Sequence, residues 1–199
     1  MSTVPTTAKG RATVERILDA ACVLFARQGV RATTLDQVGA LSRTGRGQLY
    51  RYFGSRSDLV AAVVQRQVER VLEAQQPLLG SIAAAADVRA WCAAAATAYA
   101  DDDPLRCPIG SLVHELVEDD GDAAQALAEG FGRWRTALAE GLRRVQRAGE
   151  LAPGADPDAL ATALLAAYQG GVLLAAATGD RRVLRHALDA VVSGALATA

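Results

Sequence analysis

Apolar residues recur along this chain at three- and four-residue intervals, almost from end to end. Val14, Ile17, Leu18, Ala21, Leu24 and Phe25 share one stripe, which predicts a helix from about Thr13 to Gln28 with Gly29 as its stop. Thr34, with Gln37 three residues on, reads as a capping box that opens a second helix of about two turns, with Leu35, Val38 and Leu41 facing inward. The break SRTGRG follows. A third short helix is predicted from about Arg46 to Phe53, with Leu49 and Phe53 inward. Ser55 and Asp58 open a long fourth helix. Leu59, Val60, Val63, Val64, Val68, Val71 and Leu72 carry it to about Gln76, where Pro77 is expected to interrupt it.

Further helices are predicted at about 87–100, 108–119, 122–149 and 181–197. Another opens at Asp156-Pro157, a cap followed by a first-turn proline, and closes at Gly179. Valine never alternates with polar residues for long, so no strand is predicted. The fold class is all-α. Two short helices joined by a brief turn and braced by a first helix form a helix-turn-helix unit. The expected division is 1–58 for that domain and 59–199 for a helical body.

Composition sharpens this picture. Hydrophobic residues make up 51% of the chain and alanine dominates them, which favours helix over sheet. The net charge of −1 conceals an asymmetry. Residues 1–60 carry nine cations against four acids, a balance of +5, while residues 61–199 carry twelve against eighteen, a balance of −6. A basic head on an acidic body suits a protein that meets a polyanion at one end. Three scattered cysteines, Cys22, Cys92 and Cys107, make neither a disulfide framework nor a zinc cluster and fit a reducing cytoplasm. The N-terminus lacks the apolar core of a signal peptide. Residues 159–179 carry no charge and are long enough to span a membrane. Alanine, glycine, threonine and glutamine weaken their transfer energy, and Asp158 and Asp180 bracket them, so a tightly packed soluble helix is expected.

The candidate chemistry follows from the third helix. With Leu49 and Phe53 inward, Arg46, Gln48, Tyr50, Arg51 and Tyr52 are left for the faces that meet a DNA major groove. Arg46 suits guanine O6 and N7, and Gln48 suits adenine. Thr33, Thr34 and Arg56 lie at helix starts, where backbone N–H groups favour a phosphate. In the body, Trp91, Tyr99, His114, Trp134, Tyr168 and Gln169 have the large or polar ends that a ligand would meet, although each also suits a core or interface role. Cys107, beside Arg106 and before Pro108, is either a plain helix cap or a thiol of lowered pKa. The acidic runs 101–103 and 118–120 read as solvated helix ends. No catalytic residue, cofactor or metal set is indicated.

The run LDAACVLFARQGVRATTLDQVGALSRTGRGQLYRYFGSRSDLVAAVV resembles the DNA-binding domain of TetR-family transcriptional regulators. The matching residues are Leu24-Phe25, Gly29, Thr33-Thr34, Val38, Gly47, Leu49-Tyr50, Tyr52-Phe53, Ser55 and Leu59. The stretch RCPIGSLVHEL resembles an element of the LmrA/YxaF-like branch, and more loosely branches that sense electrophiles through a cysteine. The resemblance implies a cytoplasmic, ligand-responsive repressor. It would bind a near-palindromic operator as a homodimer through its last two helices, and a small-molecule effector would release it. Arg43 and Arg56 would join the threonines on phosphates. One departure stands out. The family's turn glycine is Arg43 here, and a non-glycine residue strains at positive φ, so the turn is expected to take another local geometry. Two other classes stay open: an all-helical binding protein or enzyme with an incidental helix-turn-helix, and a membrane-associated protein.

Overall fold

The computed structural model describes residues 5–99, 105–116 and 121–196. Its helices are α1 (Ala8–Gln28), α2 (Leu35–Ser42), α3 (Arg46–Tyr52), α4 (Arg56–Leu79), α5 (Ala85–Thr97), α6 (Val113–Leu116), α7 (Asp122–Arg147), α8 (Pro157–Thr178) and α9 (Arg182–Ala195), with one 3-10 turn at Gly110–Leu112. The chain is all-α, as its periodicity predicts. It forms two compact units, one of residues 1–71 with 111–130 and the other of 72–110 with 131–199. The second half of the predicted 108–119 helix lies partly outside the described residues.

In the first unit the local signals act as read. The Gln37 amide N–H donates to Thr34 Oγ1 at 3.3 Å, and the Thr34 N–H donates to Gln37 Oε1 at 2.8 Å, so the capping box starts α2. The Asp58 N–H donates to Ser55 Oγ at 3.0 Å and starts α4. Ile17, Phe25, Val30, Val38, Leu49, Phe53, Leu59, Val63 and Val64 bury together. Arg66 of α4 reaches Glu15 and Asp19 of α1, and Arg70 reaches Asp19 at 2.6 Å. Burial raises the Asp19 pKa, but the two guanidinium groups outweigh it and hold the carboxyl below its ordinary value.

Three expectations are corrected. Leu41 does not face inward: it is 49% exposed in the last turn of α2, where Ser42 takes the buried position instead. Pro77 does not stop α4, which runs on to Leu79. The missing N–H falls in the last turn, where it removes one bond only, and buried Leu79 and Ile82 anchor the end. The α2–α3 turn keeps its left-handed residue. Arg43 sits at φ 54° and ψ 42°, the one non-glycine residue with positive φ among those described. Its N–H donates to the Ala40 carbonyl at 3.3 Å, and the N–H of Thr44 donates to the Gly39 carbonyl at 2.9 Å. Those bonds close α2 in the manner a glycine would.

In the second unit α9 packs against α5 and α8. A Cβ on Gly171 would stand 2.9 Å from the Leu184 Cα, so glycine lets the backbones of α8 and α9 approach closely. Leu160, Leu164 and Gly171 of α8 are buried within the chain itself, while Leu174 and its neighbour Leu173 are 54% and 64% exposed. By length and composition α8 is the one helix among the described residues that could cross a membrane.

The strain at Arg43 gives a stability prediction. Holding a non-glycine residue left-handed costs about 1–2 kcal/mol, partly offset in glycine by its greater backbone entropy. Arg43→Gly is expected to raise the melting temperature by about 2–4 °C, the shift of about 1 kcal/mol in a chain of this size. A melting temperature equal to or below wild type, measured by calorimetry, would show that the turn bears no strain.

Candidate nucleic-acid interface and a buried polar cluster

The seven residues of α3 divide sharply by face. Leu49 and Tyr52 are buried, as is Phe53 just beyond the helix, while Arg46, Gly47, Gln48, Tyr50 and Arg51 are exposed. The exposed set runs along the outer face of the second helix of the pair, the side a groove would meet. Arg46 lies at the N-terminal end and holds Asp36 of α2 in an exposed pair at 3.1 Å. Such a pair contributes little in water and releases its guanidinium easily. Tyr50 is 45% exposed.

Two of the expected DNA contacts face the wrong way. Tyr52 is in the core at 5% exposure. Arg51 stacks over its ring at 5.2 Å and donates from Nη2 to its hydroxyl at 3.1 Å, so Tyr52 orients Arg51 from beneath. Thr33 is also buried, and its hydroxyl donates to the Gly29 carbonyl at 2.7 Å. The inward faces of both follow from packing that the spacing of one short helix does not reveal.

Thr34, Arg43 and Arg56 are exposed at the rims of the helix pair. Arg56 also reaches back: its Nη2 donates to the carbonyls of Val30 and Thr33. Gln28 adds a bridge that the sequence did not suggest, donating from Nε2 to Ala32 O and Gln37 Oε1, each at 3.1 Å. Glu115 adds another, accepting the N–H groups of Val30 and Arg31 at 3.0 and 2.8 Å.

The second unit gathers five of the seven residues expected around a ligand. The Tyr99 and Tyr168 hydroxyls lie 2.9 Å apart. Trp134 meets the Tyr168 ring edge-on, with centroids 5.1 Å apart. Gln169 donates from Nε2 to Cys107 Sγ at 3.3 Å, and the Gly110 N–H donates to the same sulfur at 3.4 Å. Trp134 is wholly buried, yet its Nε1–H has no partner among the described residues. Leaving such a donor unsatisfied costs about 1–3 kcal/mol, and an acceptor brought by a ligand would recover it. Trp91 stands apart as a satisfied core residue, donating from Nε1 to Gln75 at 3.1 Å. His114 is exposed and belongs to the first unit.

Burial governs the titration of the cluster. It pushes Tyr168 far above the ordinary phenol range, and the neighbouring Tyr99 adds to that effect. Burial raises Tyr99 as well, with the Tyr168 hydrogen bond opposing it in part. Cys107 behaves likewise: burial lifts its thiol above the ordinary value despite the bonds from Gln169 and Gly110. Of the two readings of Cys107, the thiol of lowered pKa is thereby ruled against, since no regular helix starts at Pro108 and the residue is 4% exposed. Among the described residues no group of histidine, cysteine, aspartate and glutamate converges to hold a metal. The acidic runs 101–103 and 118–120 lie outside the described residues.

Comparison with known proteins gives two family-model matches. Residues 17–63 match the model described as bacterial regulatory proteins, tetR family, and residues 84–191 match the tetracyclin repressor-like C-terminal domain. The narrower likeness of 106–116 to the LmrA/YxaF-like branch gains no support from them. The chain is similar to the transcriptional regulator AcuR of Cereibacter sphaeroides, with 30% identity over 74% of this chain and 69% of that one. It is similar to an uncharacterized HTH-type transcriptional regulator from the lacX 3' region of Lactococcus lactis, with 29% identity over 90% and 91%. Among solved structures, SmeT in complex with triclosan aligns with a TM-score of 0.77 and 26% identity, over 94% of this chain and 92% of that one. SmeT is the repressor of a Stenotrophomonas maltophilia multidrug efflux pump.

The buried thiol gives a prediction. At pH 7.5, Cys107 in the folded protein should react with an aromatic disulfide reagent at least about tenfold more slowly than free cysteine, because the thiolate is scarce and covered. Mass spectrometry of the labelled peptide measures this. Labelling at the rate of free cysteine would contradict the burial.

Proposed function

Because the chain belongs to the TetR family of bacterial regulatory proteins, we propose that it is a cytoplasmic repressor that binds a near-palindromic operator as a homodimer and releases it when a small molecule enters its C-terminal half. Residues 1–58 carry the DNA-binding function, and residues 59–199 carry effector binding and dimerisation. The observation that carries this reading is the two-faced α3, with Leu49 and Phe53 in the core and Arg46, Gln48, Tyr50 and Arg51 outside.

The mechanism follows from that geometry. The excess of positive charge in residues 1–60 draws the protein to the duplex without regard to sequence. Arg43, Arg56 and Thr34 then meet phosphates at the rims and fix the register. Arg46 and Gln48 present their ends to base edges in the major groove. Tyr50 offers a hydroxyl to phosphate or its ring to a thymine methyl. Tyr52 and Thr33 act from below, the first through Arg51 and the second through the α1–α2 turn.

The exposed side of α8 supports the dimer. Leu173 and Leu174 stand out of an alanine-rich surface on a helix whose other side is covered by α9. A second copy offering the same surface would cover both leucines, and small residues allow two helices to lie close. The polar cluster supports an effector site. Tyr99, Tyr168, Gln169 and Trp134 are neutral at physiological pH, so the effector they favour is a small neutral molecule that brings an acceptor for the Trp134 N–H and apolar surface for the rings. Binding weakens operator affinity only as far as that molecule prefers the DNA-incompetent dimer.

A mobility-shift assay on the DNA flanking the chain's own gene tests the reading. Arg46→Ala should weaken binding about tenfold, the lower part of the range for a lost bidentate base contact, and leave the dimer intact. Retained affinity in that variant, or a wild type indifferent to every fragment, would contradict it.

A further inference from the structure

The segment between α1 and α2 is a short turn whose peptide groups are held largely by side chains, two of them from distant parts of the chain. On one edge Glu115 accepts two successive N–H groups, Val30 at 3.0 Å and Arg31 at 2.8 Å. Successive N–H groups aimed at one anion form a nest, and each bond to a carboxylate is stronger than its neutral counterpart. On the other edge Arg56 donates to the carbonyls of Val30 and Thr33. Gln28 holds the Ala32 carbonyl, and the Thr33 hydroxyl holds that of Gly29.

The fit around Glu115 is close. Gly29 has φ 83°, and a Cβ there would stand 2.8 Å from Glu115 Oε1. The glycine is thus required twice, for its backbone angle and for the carboxylate beside it. The carboxylate itself is fixed. It projects from α6, a helix of only four residues, and α6 is seated by Leu112 and Leu116, which are 5% and 3% exposed. The turn leads directly into Thr34, the cap of α2, and α2 packs against α3. The direction in which α2 leaves the turn therefore sets the aim of the exposed residues of α3.

We propose that Glu115 is a positioning residue for sequence-specific DNA binding, acting from outside residues 1–58 by holding the α1–α2 turn through the Val30 and Arg31 amides. The proposal rests on the reading of the chain as an operator-binding regulator. Glu115 does not touch DNA; it acts through the orientation of α2 and α3. Its removal should degrade the match between α3 and base edges while leaving the phosphate attraction of the basic head in place.

The test uses the full-length protein and a duplex that the wild type selects from a random-sequence pool. Dissociation constants are measured on that duplex and on an unrelated one, well below the melting temperature. Glu115→Ala should bind the selected duplex about tenfold more weakly, the scale of losing bonds to a charged group, and the unrelated duplex within about twofold of wild type. Glu115→Gln keeps the size of the side chain and one acceptor oxygen, so it folds even if the alanine variant does not. It should lose about threefold on the selected duplex and show faster amide exchange at Val30 and Arg31. Both variants binding the selected duplex as tightly as wild type, or losing equally on the two duplexes, would overturn the role of Glu115. A wild type that selects no duplex would overturn the functional reading itself, and this role with it.

Discussion

A helix of seven residues does not persist alone in water, because nucleation costs more than so few bonds return. α3 exists because Leu49, Tyr52 and Phe53 are sunk in the core of the first unit. Burial of that one face both stabilises the helix and settles which residues point away from the core. Arg46, Gln48, Tyr50 and Arg51 are exposed as the geometric complement of the buried set. The face proposed to meet DNA is therefore a by-product of packing, and its aim depends on whatever holds the neighbouring segments still.

Two turns do that holding, and they use different physics. The α2–α3 turn relies on backbone conformation. Arg43 takes a left-handed geometry that glycine would take without strain, and it places a cation at the rim of the helix pair. Local strain at such a place fits a site where charge matters more than the last kilocalorie of stability. The α1–α2 turn relies on side chains. Glu115, Arg56, Gln28 and Thr33 converge on a few peptide groups that would otherwise need water. One turn is thus set by local conformation and the other by side-chain contacts, those of Glu115 and Arg56 distant in sequence.

That contrast explains how much was legible in the sequence. Signals confined to a few residues held: the Thr34–Gln37 box, the Ser55 cap, the Asp156-Pro157 start and the Gly179 stop of α8 all appear as read. The α4 stripe from Leu59 to Leu72 is buried throughout, because seven apolar positions over several turns over-determine a face. Short stripes were less secure. Leu41 lies in the last turn of an eight-residue helix and is half exposed, and Tyr52 lies at the end of a seven-residue helix with the core beneath it. Cys107 kept two readings because a sequence shows a cation and a proline beside a thiol but not the desolvation that dominates its pKa. Glu115 left no trace at all, since its partners Val30 and Arg31 lie far off in the chain and an acidic residue in a short helix looks like any solvated one.

The central claim is that two copies of the exposed α3 face read one operator. Hydroxyl-radical footprinting of the wild-type protein on a selected duplex tests it most directly. The account predicts two protected patches on one face of the DNA, with centres roughly 34–36 Å apart, one turn of the helix. At a protein concentration near the wild-type dissociation constant, Arg46→Ala should weaken both patches together. A single patch, or protection that survives this substitution unchanged, would contradict the account.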